Sequence, residues 1–230
     1  MQIAIGGLFS NSVSTGHLDY YIPQVVSLKK TLYPDTLKCL WVEGDSTDGT
    51  NAELHRRAEN AQLDATIIER NHHGPVYRSV ENAERLSQLG TIANGVLENF
   101  NQDILLWAES DLIWDAETAG KLIDHAKAGL DVVAPFIAFY TGQLYDIWAF
   151  RIAGQRCGPF PPYHPLWVPN SLMQMDSVGS FLAIKGEYAR RIRFDERCLP
   201  GFCEDVRSLG GKVWMDNRLK VVHPKRSYDP

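Results

Sequence analysis

The stretch "ILLWAESDLIWD", residues 104–115, carries an apolar run straight into Glu109, Ser110 and Asp111. Two carboxylates two residues apart project to one side of an extended chain. Oxygen ligands at one strand edge suit a hard divalent cation, Mg²⁺ or Mn²⁺, which keeps coordination positions open for phosphate. A second acidic cluster, Glu43 and Asp45 in "WVEGDSTDGT", also closes an apolar run. Near the C-terminus stand the adjacent pair Glu204–Asp205 and, in "VVHP", His223. Taken singly, an acid-x-acid triplet is a solvated strand end, an acid pair complements a helix dipole, and a histidine before proline ends a strand. Their order along the chain gives them a common purpose.

The elements that must position these groups alternate. Strand patterns fall at "QIAIGGLF", which ends in glycine, and at "LKCLWVEGD", "DATIIER", "DILLWAES" and "DVVAPFIAF". Helical spacing is carried by Tyr21, Val25, Leu28 and Leu32, and by a long stripe from Tyr77 to Phe100 through Val80, Ala83, Leu86 and Leu89. Shorter helices are predicted from Asn51 to Asn60 and over "AETAGKLIDHAKAG". Such alternation predicts an α/β domain whose central sheet is mainly parallel, with helices on both faces. In such sheets ligands bind beyond the carboxyl ends of the strands, so the acidic clusters after the second and fourth strands face one crevice.

Beyond residue 140 the pattern changes. Residues 153–170 hold five of the twelve prolines and little periodicity, so the segment reads as a lid or as a rigid surface loop. A strand and short helix follow, then a helix, a turn and a last pair of strands. No repeat or linker divides the 230 residues, which are read as one domain.

Net charge of −5 excludes broad electrostatic capture of nucleic acid. The four cysteines form no C-x-x-C pair and read as thiols in a reducing compartment. With no apolar run near the ~20 residues that span a bilayer, the expectation is a cytoplasmic protein without a transmembrane segment. His72 and His73 lack a third ligand at zinc-like spacing and are read as loop residues.

Four stretches in this order resemble glycosyltransferases of the GT-A fold, nearest to the large family containing cellulose- and chitin-synthase-like enzymes. They are "VEGDSTDGT", "AESD" at the place of a D-x-D metal motif, "VGSFLAIKGE" and "GFCEDVRSLGGKVW". "YDIWAFR" (145–151) and the final "VVHP" are similar instead to fungal mannosyltransferase families of that fold. The resemblance implies a metal-dependent transfer from a UDP- or GDP-sugar to a hydroxyl of a glycan, a lipid-linked sugar or another acceptor, with about 1–115 as the nucleotide-binding half of the domain and about 116–230 as its acceptor and catalytic half. Asp111 is the surer metal ligand, with Glu109 in the weaker first position of the motif, turned to metal or ribose. His223 falls to the metal or the phosphates, and Glu43 and Asp45 to base and ribose. Asp205 is implied as the base of an inverting course, with Glu204 orienting a neighbour or binding acceptor; in a retaining course Asp205 holds charge or acceptor.

Two placements depend on the helix and strand that carry them. Arg85 reaches the diphosphate or ribose if its helix starts at the crevice, and is otherwise a surface cation. Tyr145, Asp146, Trp148 and Arg151 offer an aromatic plane with hydrogen-bonding groups, as a sugar pocket needs, or else form an ordinary amphipathic strand. The absent Q-x-x-R-W signature argues against a polymerising synthase. A sugar-phosphate nucleotidyltransferase would carry lysine in a glycine-rich loop after the first strand, which "IGGLFSNSVSTGH" lacks. A non-catalytic nucleotide- or carbohydrate-binding module would need no acid pair near residue 205.

Overall fold

A computed structural model describes residues 1–75, 77 and 81–225. Its elements are β1 (Gln2–Phe9), α1 (His17–Thr31), β2 (Thr36–Glu43), α2 (Thr50–Asn60), β3 (Asp64–Glu69), α3 (Ala83–Glu98), β4 (Ile104–Ala108) and α4 (Ala116–Lys127). There follow β5 (Val132–Phe139), β6 (Arg151–Ile152), β7 (Gln155–Arg156), β8 (Leu172–Met175), β9 (Phe181–Lys185), α5 (Gly186–Arg191), α6 (Cys198–Ser208) and β10 (Val213–His223). Eight strands form one sheet in the order β3-β2-β1-β4-β9-β5-β10-β8, and β6 and β7 make a separate hairpin. Strands β1 to β5 and β10 run the same way, while β9 and β8 run against them.

The paired glycines of β1 explain how helices reach both faces. Successive side chains on a strand point to opposite faces. A Cβ on Gly6 would stand 2.6 Å from Val96 Cγ1 of α3, and one on Gly7 2.8 Å from the Tyr21 hydroxyl of α1 and 2.9 Å from the Ala108 carbonyl. The glycines therefore lie inside the strand rather than ending it. Backbone oxygen in a central strand cannot yield, so Gly7→Ala is expected to destabilise the fold by about 1–3 kcal/mol. A lowered urea midpoint with unchanged m-value would show it.

Strand β4 is buried along its whole length, which explains the apolar run that opens the motif. Asp115 at the motif's end caps α4, its carboxylate accepting from Thr118 N–H at 2.6 Å. Two expectations change, and the sheet order adds a feature the sequence left open. The helix expected from Tyr77 begins at Ala83, where the Asn82 side chain accepts from Arg85 N–H at 3.1 Å; Val80 lies outside the described residues. Strand β5 does not adjoin β4, because β9 enters antiparallel between them. The expected last pair of strands is the single strand β10, whose pairing with β5 slips between Asp216 and Lys220.

That irregularity turns Asp216 inward, where Arg218 donates from Nε and Nη2, both at 2.8 Å, and His125 Nε2 stands 2.9 Å away. Burial pushes the carboxyl upward, but these bonds outweigh it and hold it at about 2 against the ordinary 3.8. A depressed carboxylate contributes stability above its unfolded pKa and loses it as pH falls through the folded value. About 2 kcal/mol should therefore disappear between about pH 4 and pH 2. Urea titrations of wild type and Asp216→Asn should diverge above that window and converge below it.

Candidate active site

Because the parallel strands end at one edge of the sheet, their last residues meet there: Phe9 beside Glu43, Glu43 beside Glu69, and Phe139 beside His223. The chain leaves extended geometry after Ala108. Residues 109–112 form a turn closed by Leu112 N–H to the Glu109 carbonyl at 3.3 Å. Period two thus does not describe Glu109 and Asp111, and they go to different neighbours. After the turn, Ile113 exchanges backbone bonds with Val222 at 2.8 and 2.9 Å. This antiparallel contact brings Asp111 Oδ2 to 3.2 Å from His223 Nε2.

His223 is fully buried, its ring stacked on Tyr145 at 3.9 Å between centroids and on Phe139 at 5.8 Å. Cis ligands of an octahedral cation at about 2.1 Å stand about 3.0 Å apart, so this carboxylate oxygen and imidazole nitrogen match one edge of such a site. No group of three His, Cys, Asp or Glu suited to a metal occurs among the described residues. A cation here would take its remaining ligands from phosphate oxygens and water, as Mg²⁺ and Mn²⁺ sites in phosphate enzymes do. The pair fits the ion.

Tyr145 also borders a cleft of about 290 Å³ between α3, the end of β4, the 145–148 segment and the start of α6. Its inner wall is apolar, with Leu89, Ala93, Trp107 and Phe194, and its charged lining groups are Glu81, Arg85, Glu109 and Asp146. Residues 145–150 are a turn and not a strand: Asp146 accepts from Ala149 N–H at 3.3 Å, and its carbonyl accepts from Phe150 N–H at 3.1 Å. Trp148 consequently borders the cleft, with the Arg151 guanidinium 5.8 Å from its ring centroid. Burial lowers the Arg151 pKa from its ordinary value.

Asp146 accepts from the Ser180 hydroxyl at 2.5 Å. A Cβ on Gly179 would stand 2.2 Å from Asp146 Oδ2, so glycine is what lets this carboxylate close on the sheet. Burial raises its pKa above the ordinary range and the negative charge of Asp111 adds to the rise, against the bonds from Ser180 and Ala149 and the nearby Arg151. A carboxyl so poised can bind a hydroxyl or exchange its proton nearer neutral pH than an exposed one.

The other acidic residues have defined partners. Buried Glu43 accepts from Asn51 Nδ2 at 3.0 Å, and its Oε1 has no hydrogen-bond partner. Asp45, in left-handed backbone geometry at φ 56°, receives the N–H groups of His72 (3.0 Å) and His73 (3.2 Å). Those bonds, that of His72 foremost, lower its pKa. Asp45 thus ties the loops after β2 and β3 together, which also accounts for the two histidines. In "STDGT", Thr50 Oγ1 accepts from Ser12 N–H at 2.8 Å and Asp48 from Ser14 N–H at 2.7 Å, clamping the loop after β1.

On α6, Arg197 Nη1 binds Glu204 at 2.9 Å, and its Nη2 binds Asp205 at 3.2 Å while also holding Asp195. Its hydrogen bond to Asp195 leads in raising the arginine's pKa. Neither Glu204 nor Asp205 borders the cleft, whereas Cys198 and Leu199 at the start of the same helix do. Sequence reasoning missed Glu81, Ser180 and Arg197. Ser180 had a signal in "VGS" before a strand; Glu81, bidentate to Arg156 at 2.7 and 2.9 Å, had none.

No family model and no curated protein matches this sequence. Among solved structures, S. aureus TarS 1–349 in complex with UDP-GlcNAc aligns over 100% of this chain and 60% of its own, with TM-score 0.58 and 16% identity. The mannosyltransferase PcManGT from Pyrobaculum calidifontis, in complex with GDP-Man and Mn²⁺, aligns over 98% of this chain and 58% of its own, with TM-score 0.60 and 16% identity. The chain thus spans about 60% of the length of these structures. Both are glycosyltransferases, and the eight-stranded, mostly parallel α/β sheet described above is a fold they share. No helix among the described residues is long and apolar enough to cross a membrane.

Proposed function

We propose that this chain is a glycosyltransferase that moves a sugar from a nucleoside-diphosphate sugar, UDP- or GDP-linked, to an acceptor hydroxyl with the help of Mn²⁺ or Mg²⁺. The observation that carries the reading is the Asp111–His223 pair, joined through the Tyr145 ring to a carboxylate-lined cleft at the carboxyl edge of the sheet. Its support from known structures is the shared fold and the nucleotide-sugars, and in one case Mn²⁺, that those proteins bind.

In this reading Asp111 and His223 hold the cation, which when bound offsets negative charge developing on the leaving diphosphate. Glu43 offers its unpartnered oxygen to the base edge, while Asp45 acts by shaping the adjoining loop. Arg85 and Glu109 orient the diphosphate and ribose, and Arg151 braces Trp148. Trp148 presents its plane to the donor sugar, and Asp146 accepts a sugar hydroxyl beside it. Asp205 takes the acceptor proton in an inverting course, with Glu204 sharing Arg197 and holding its geometry.

A second assignment of the base is favoured by position. Asp146 borders the cleft with a raised pKa, whereas Asp205 is ion-paired outside its lining. The transferase itself is tested by incubating the protein with UDP- and GDP-sugars and simple glycan or lipid-linked acceptors, following nucleoside diphosphate release. The anomeric configuration of the product, read by NMR, decides between inverting and retaining courses. No release with any donor and acceptor, in the presence of Mn²⁺, would overturn the reading.

A further inference from the structure

Between Cys157 and Met175 the chain carries no Asp, Glu, Lys or Arg at all, in a protein whose net charge is −5. The segment is not loose. Tyr163 and Trp167 pack on Phe136 of β5 with ring centroids at 5.4 and 6.1 Å, and successive turns bond Tyr163 N–H to Phe160 O (2.8 Å) and Trp167 N–H to His164 O (3.0 Å). With the Tyr163 and Trp167 rings turned to the sheet, the loop holds Phe160, Leu166 and Val168 outward, 60, 59 and 55% exposed. Presenting three large apolar side chains from a braced, uncharged loop has an energetic penalty in water that folding alone does not explain.

The charges around the loop define what it meets. Among the described residues, the acids bordering the loop are ion-paired within the chain: Glu81 with Arg156, Asp176 with Arg207, and Asp216 with Arg218. Two exposed lysines remain at the same sheet edge. Lys220 pairs in register with Phe136, so its side chain leaves the face that Tyr163 and Trp167 cover. Lys225, just past β10, stands over the half-exposed Tyr140 ring at 5.8 Å. Apolar tips with a cationic rim, whose bordering acids among the described residues are paired, complement the interface of an anionic bilayer, where aliphatic and aromatic groups enter the headgroup boundary and lysines meet phosphates.

We propose that the 157–175 loop, with Lys220 and Lys225, docks this protein on an anionic lipid surface. Leu144 N–H donates to the Pro159 carbonyl at 3.0 Å, so the loop is tied directly to the segment carrying Tyr145 and Asp146. Docking would thus set the cleft beside the lipid headgroups. The inference stands on surface chemistry and does not require the transferase reading.

Co-sedimentation with vesicles of phosphatidylcholine alone, and of phosphatidylcholine with about one third phosphatidylglycerol, tests it. The wild type should bind the anionic vesicles about tenfold or more tightly than the neutral ones, and lose that preference near about 0.5 M salt. The triple variant Phe160→Ser, Leu166→Ser, Val168→Ser should lose binding to both. The pair Lys220→Glu, Lys225→Glu should lose only the anionic preference. All five side chains are exposed, so unchanged thermal midpoints confirm that the variants are folded. Equal sedimentation of wild type and triple variant, or no sedimentation with either vesicle, overturns the proposal. A wild type that is dimeric by light scattering, captured by neither vesicle and made monomeric by the triple variant, would assign the patch to a second copy of the chain instead.

Discussion

Asp111→Ala is expected to lower turnover by about 10²–10³-fold, a loss of roughly 3–4 kcal/mol of transition-state stabilisation. The effect should be this large because Asp111 supplies the carboxylate of the proposed cation pair, and a phosphate-bound cation with few protein ligands has little to fall back on. The fold should survive, since Asp111 lies in a turn and the Ile113–Val222 backbone pairing does not depend on its side chain. Donor binding should become insensitive to Mn²⁺ and EDTA in the variant. Asp111→Ala with wild-type turnover and wild-type metal dependence would remove Asp111 from the mechanism.

The second large effect concerns the proton acceptor. Asp146→Asn is expected to reduce turnover by about 10²–10³-fold, within the range of general-base catalysis, and to exceed the loss from Asp205→Ala. Burial raises the Asp146 carboxyl, so the acidic limb of the rate profile should lie above the ordinary carboxylate range and disappear in Asp146→Asn. Ser180→Ala should move that limb further upward, because its hydroxyl stabilises the ionised form. The opposite order, with Asp205→Ala the more damaging and the acidic limb unchanged in Asp146→Asn, would return the base to α6, as the "E-D" resemblance implies.

The fold was legible where hydrophobic period and turn chemistry agree. The strands ending in Glu43 and Ala108 were visible as buried runs closed by acids, and α4 announced itself through the glycine near its end. The antiparallel placement of β9 was not, because an all-apolar strand reads the same whichever neighbour it pairs with and in whichever direction. The slip in β10 was hidden for a related reason: "MDNRLK" reads as a turn, and only the bonds of Asp216 to Arg218 and His125 show why the strand continues through it.

At the site, strand-end carboxylates were readable because parallel strands must deliver their last residues to one edge. The individual assignments depended on tertiary partners. Asp45 reads from sequence as a ligand group, and only the structure shows its two oxygens accepting from the N–H groups of His72 and His73. Glu204 and Asp205 meet an arginine seven and eight residues upstream. The prominence of Asp146 rests on Gly179 and Ser180, some thirty-odd residues further along, and no local pattern links them.

The most direct test of the central claim is titration calorimetry of the wild type and Asp111→Ala with UDP and with GDP, each in Mn²⁺ and in EDTA. One of the two nucleotides should bind the wild type with Mn²⁺ at least about tenfold more tightly than in EDTA, a difference of about 1.4 kcal/mol, and Asp111→Ala should abolish the difference. Equal binding in Mn²⁺ and EDTA, or none with either nucleotide, would contradict the claim.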